Sequence, residues 1–138
     1  MDCEVIVMPK LQGRLTAYVD AFIRHDSGAN VWALILGPDG RSVSEIVKNV
    51  SLPVNNMRSA RLAAVRIALE EAYNAGAREV DIFLPDASLA MSLAVPKPVE
   101  TGLFGQFISI MALKHAFKSA TFKAGTIDTL SSLSLGMA

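Results

Sequence analysis

The chain has 138 residues with 13 Lys plus Arg against 13 Asp plus Glu, so its formal net charge is zero. One domain of ordinary size is expected, and the absence of a basic excess argues against tight, sequence-independent binding to nucleic-acid phosphates. A lone cysteine, Cys3, excludes an internal disulfide and fits a reducing, cytoplasmic setting.

Hydrophobic residues make up 51% of the chain and the mean hydropathy is +0.37, high for a small domain. Two explanations fit: well-filled buried elements, or an apolar patch that a partner protein or a second copy covers. No run reaches the roughly 20 apolar residues of a membrane span. The start of the sequence, Met-Asp-Cys-Glu, lacks the features of a signal peptide. No membrane association is expected.

Residues 1–13 hold a short apolar run, Val5 to Met8, ended by Pro9, which reads as an edge strand or a loose arm before a domain over 14–136. Leu15 to Ile23 is rich in β-branched and aromatic residues and predicts a strand. His25 to Asn30 reads as a turn. Val31 to Leu36 is almost wholly apolar and predicts a central strand. The turn Gly37-Pro38-Asp39-Gly40 then leads into a half-exposed strand over Arg41 to Val50, where the adjacent Ile46 and Val47 suggest a bulge. These three strands form an antiparallel meander.

Asn55 or Asn56 is placed to cap a helix over Met57 to Asn74. Its expected core face is Leu62, Val65, Leu69, Ala72 and Tyr73, and Gly76 follows its last turn. Glu79 to Leu84 predicts a fourth strand, and Ala87 to Ala94 a short helix capped by Asp86. Val95 to Gly105 reads as a loop, Phe107 to Phe117 as an apolar helix, Ala120 to Ala124 as a fifth strand, and Thr126 to Leu135 as a last helix. A strand after the first long helix lies parallel to the first strand through a right-handed crossover. The expectation is an α/β fold with a mixed five-stranded sheet and helices on both faces.

The order of elements and several local patterns together resemble ribonuclease H, over roughly residues 14–136. Tyr18-Val19-Asp20-Ala21 is similar to the strand bearing that family's first catalytic Asp. Asn55-Asn56 with Arg61-Leu62-Ala63-Ala64 is similar to its first helix, Val80-Asp81-Ile82-Phe83 to its fourth strand, and Ile127-Asp128-Thr129-Leu130 to the start of its final helix. Active members hold two divalent ions, magnesium or manganese, among acidic side chains. The resemblance implies Asp20, Asp86 and Asp128 as catalytic and metal-binding candidates.

The pattern is incomplete. Alignment on Leu-Ala-Ala puts Arg61 where the family has a Glu, and alignment on Asn-Asn puts Ser59 there. Arg61 beside Asp20 is expected to form an ion pair in the metal position. Asp86 falls one residue beyond the family's register and doubles as a helix cap. Asp128 equally suits a first-turn carboxylate. His25 and His115 are isolated. Trp32, Phe104, Phe107, Phe117 and Phe122 read as core. Arg58, Arg61 and Arg66 read as solvated, with Arg58 and Arg61 on one side of the helix. Lys114, Lys118 and Lys123 read as a solvated face able to touch a phosphate backbone.

The leading expectation is a non-catalytic binding or assembly module with no cofactor. The alternatives are an active magnesium-dependent ribonuclease H on RNA–DNA hybrids, with Asp26 or Glu45 as substitute ligand, and a nucleic-acid-binding module without chemistry.

Overall fold

The computed structural model describes residues 13–24, 28–95 and 100–126. The expected arm over 1–13, apart from Gly13, and the expected last helix, apart from Thr126, lie outside the described residues. So do His25, Asp26 and Asp128.

Five strands form one mixed sheet in the order β3-β2-β1-β4-β5. They are β1 (Arg14–Ile23), β2 (Gly28–Leu36), β3 (Ser42–Ser51), β4 (Glu79–Leu84) and β5 (Ser119–Ala124). The β1–β2 and β2–β3 pairings are antiparallel, and β1–β4 and β4–β5 are parallel. The helices are α1 (Met57–Asn74), α2 (Ala87–Ala94) and α3 (Phe104–Lys114). A mixed sheet entered by a meander and completed by helical crossovers is the fold class the sequence predicts.

One hydrophobic core joins the sheet to the helices. In β1, buried Leu15, Ala17, Val19 and Ala21 alternate with less buried positions, the period of a strand with one covered face. From α1, Leu62, Val65, Leu69 and Ala72 enter that core, each at 1% exposure or less. Each large side chain so buried contributes about 1.5–3 kcal/mol. Tyr73 departs from the expected core face. It is 54% exposed and sets its ring edge-on to Phe117.

Several boundaries differ from the sequence reading. Strand β2 begins at Gly28, inside the expected turn. A Cβ at that glycine would meet Arg24 Nη2 and, at 3.0 Å, the Val50 carbonyl, so the residue serves close packing within the sheet rather than a turn. The irregularity in the β2–β3 ladder lies at Val43, because Ile35 pairs with Ser44 and Leu36 with Ser42. Ile46 and Val47 stay in register with Ala33 and Trp32. Their apolar adjacency is absorbed by leaving Val47 51% exposed.

Helix α3 starts three residues early, after a 3-10 turn over Thr101–Leu103. Gly105 does not break it, standing where an added Cβ would meet nothing within 4 Å. Phe117 follows the helix end and is buried there, as are Phe107 and Phe122, whereas Phe104 is 52% exposed rather than in the core.

Candidate functional site

The C-terminal ends of β1 and β4 and the first turns of α1 converge on one corner of the molecule. Tyr18 pairs with Phe83 in the parallel β1–β4 ladder, and their rings stack at 5.0 Å. Two residues further on, strict register sets Asp20 level with Pro85, leaving Asp86 one step beyond. Asn56 caps α1, accepting a 2.8 Å hydrogen bond from the Ser59 N–H. That cap fixes the helix start, so Arg58 and Arg61, three apart, project on the same side.

Arg61 meets Asp20 as the sequence predicts. Its Nε lies 3.5 Å from Asp20 Oδ1, with the two side chains 23% and 22% exposed. Asp20 Oδ1 also accepts from the Ala21 N–H at 2.8 Å. The buried Arg61 Nε makes no hydrogen bond. The contact is therefore one of opposite charges, and each ion offsets the desolvation of the other.

Asp86 caps α2, accepting from the Leu89 N–H at 2.9 Å. Arg58 reaches the same carboxylate, Nε to Oδ2 at 3.7 Å, and donates to Glu100 Oε1 at 2.6 Å. Neither Arg58 nor Arg61 is the solvated surface residue expected from sequence. The stretch Val95 to Gly105 gave no hint of Glu100 as a partner, because the pairing spans 42 positions.

Ser59, the other candidate for the family's helix carboxylate position, is fully buried and turned elsewhere. Its hydroxyl donates to Gln106 Oε1 at 2.8 Å, and Gln106 Nε2 donates to its carbonyl at 2.9 Å, tying α1 to α3. Glu45, a candidate substitute ligand, accepts from Trp32 Nε1 at 2.7 Å. Trp32 is 1% exposed. Lys114 and Lys123 lie over the rings of Phe122 and Phe83. Lys118 approaches Glu79 at 3.9 Å.

Among the described residues, the carboxylates of the corner are engaged with other partners. Magnesium is commonly held by one or two carboxylates together with its own waters and substrate phosphates. Here Asp20 faces Arg61 and Asp86 faces Arg58, and among the described residues no three His, Cys, Asp or Glu side chains gather into a metal-binding group.

No family model and no curated protein matches the chain. Solved structures do. Ribonuclease H1 from the halophilic archaeon Halobacterium salinarum is 21% identical with a TM-score of 0.75, over 86% of this chain and 90% of that one. The N-terminal ribonuclease H domain of a Mycobacterium tuberculosis protein is 14% identical with a TM-score of 0.72, over 91% and 99%. A ribonuclease H1 designated LC11, solved in complex with an RNA/DNA hybrid, is 20% identical with a TM-score of 0.70, over 83% and 87%. The chain has a ribonuclease-H-like fold.

Proposed function

We propose that this chain is a non-catalytic ribonuclease-H-like domain that works as a binding or assembly module. The observation that carries this reading is the Asp20–Arg61 ion pair at 3.5 Å. A guanidinium there supplies the positive charge beside Asp20 and repels a second cation. It delivers no water and cannot act as a base, since it stays protonated throughout the physiological range. With Asp86 engaged as a helix cap and beside Arg58, two of the expected ligands already have other partners. Asp128 remains a candidate only for the active alternative. On this reading no cofactor is needed, and the domain acts through a protein partner or a second copy of itself.

A second reading has one observation in its favour. A protein of the same fold is solved bound to an RNA/DNA hybrid. Binding of a hybrid without cleavage would use the shape of the duplex and its backbone, although the balanced charge of this chain supplies little general attraction.

The test is a labelled RNA–DNA hybrid incubated with excess protein in magnesium and, separately, in manganese. Intact hybrid in both is the expected result. Cleavage that disappears in Asp20→Asn overturns the proposal in favour of an active metal-dependent nuclease. A salt-sensitive mobility shift without cleavage supports the second reading.

A further inference from the structure

Strands β1, β4 and β5 are parallel neighbours, and the chain visits them in one direction across the sheet. Right-handed crossovers then put α1, α2 and α3 on the same face. The core cluster agrees, since it joins Leu69 of α1, Leu89 of α2 and Ile110 of α3 to Ala17, Ile82 and Phe122 of the sheet. The opposite face carries a row of Leu34, Tyr18, Phe83 and Lys123, level with one another across four strands. Trp32 lies in the next row, paired with Asp20.

Two side chains of this second face are closed to water. Trp32 is 1% exposed and Leu34 2%, and neither belongs to the core cluster beneath the helices. An indole on an open sheet face keeps much of its large area in solvent. The hydrogen bond from its Nε1 to Glu45 occupies one edge only. Val47, its pair on β3, is 51% exposed, so the cover stops short of the sheet edge.

The course of the chain points to the segment that supplies this cover. After β5, the Gly125 N–H donates to the Leu84 carbonyl at 3.0 Å. A Cβ at Gly125 would meet Phe83 Cδ1 at 2.9 Å, so the backbone leaving β5 lies against the second face, in the row of Tyr18 and Leu34. Gly13 stands instead against Pro38, in the turn beyond the far end of β2. The sequence after Thr126 suits the face. Ile127, Leu130 and Leu133 follow at three-residue steps, with Asp128, Thr129 and Ser132 between them, which gives a helix one apolar side. A helix over 127–135 is about 14 Å long. Three strand spacings of about 4.8 Å give the same span from β5 to β2.

We propose that residues 127–135 dock as a helix on the second face of the sheet and cover Trp32 and Leu34, with Ile127, Leu130 and Leu133 turned to the strands. A helix this short is marginal in water by itself, so the apolar face is what holds it. Part of the chain's high hydrophobic content is then used inside the molecule rather than offered to a partner. The proposal stands apart from the reading of the corner, and its test does not involve nucleic acid or metal.

Trp32 is the one tryptophan of the chain, so its fluorescence reads the cover directly. Leu130→Glu should move the emission to longer wavelength and raise acrylamide quenching severalfold. Leu130→Met and Ile6→Glu should leave both unchanged. In a second measurement, p-benzoylphenylalanine replaces Leu133 in the otherwise unaltered chain. Irradiation should give a crosslink at monomer mass that peptide mapping places on β1 or β2. The proposal is overturned if Trp32 is indifferent to Leu130→Glu in a folded protein, or if the crosslink falls on α1 or α3 or does not form. Exposure of Trp32 in Ile6→Glu overturns it in favour of the N-terminal stretch, and a crosslink only at doubled mass in favour of a second copy. Should Leu130→Glu fail to fold, the crosslink decides alone.

Discussion

At the scale of single residues, the decisive fact is that a carboxylate inside a strand needs compensation. Asp20 sits between buried Val19 and Ala21, and Arg61 is the cation that reaches it. This pairing was legible in the sequence because two rules met: a charge in an apolar strand calls for a partner, and the helix pattern put Arg61 at the matching position. If Arg61 stands in for a bound cation, Arg61→Glu should create a site that binds manganese. Isothermal calorimetry should show saturable heat for that variant and none for the wild type, and the heat should vanish in Arg61→Glu combined with Asp20→Asn. Equal heats in wild type and variant would remove the argument. Arg61→Met tests the same pair from the stability side. It leaves Asp20 half-buried without its counterion and should cost about 1–2 kcal/mol in urea unfolding. Adding Asp20→Asn should recover part of that loss, since residues in contact are not additive.

At the scale of elements, local signals were read correctly where one segment contains both the cause and the effect. Helix α1 has its cap at Asn56, its apolar spacing, and Gly76 at φ 88° just past its end, and its bounds match the sequence reading. The same holds for β4 and for α2 with its Asp86 cap. Asp86 is the residue whose two readings diverge most. As a cap it needs only an oxygen acceptor for the Leu89 N–H. Asp86→Asn should therefore unfold within about 0.5 kcal/mol of wild type, while Asp86→Ala costs about 1 kcal/mol. A large penalty for Asp86→Asn would mean that its charge, through Arg58, matters more than the cap. Errors arose where the cause lies in another segment. The strand start at Gly28 depends on Arg24 and Val50. The early start of α3 follows a 3-10 turn within a glycine- and proline-containing stretch. The cleft that Val50 of β3, Ile67 of α1 and Gly105 of α3 line together had no sequence signal, because segments distant in the chain form it.

At the scale of the whole molecule, the question is whether a metal contributes to folding. A ligand that binds only the folded state stabilises it by RT ln(1 + [L]/Kd), so millimolar magnesium on a working site raises the melting temperature. In this chain the corner of the sheet is closed by charge. Asp20 binds Arg61, and Arg58 links Asp86 at the start of α2 to Glu100 ahead of α3. These contacts join β1, α1, α2 and the approach to α3. The core beneath is continuous from Leu15 through Leu69 to Phe122. Melting followed by circular dichroism should therefore be a single cooperative transition whose midpoint moves by less than about 1 °C between a chelator and millimolar magnesium. Salt should act in the other direction, because partly exposed ion pairs weaken as screening increases. A magnesium-dependent rise of several degrees, absent in Asp20→Asn, would mean that the Asp20–Arg61 pair opens to admit a cation. The domain would then belong with the metal-dependent readings of its fold.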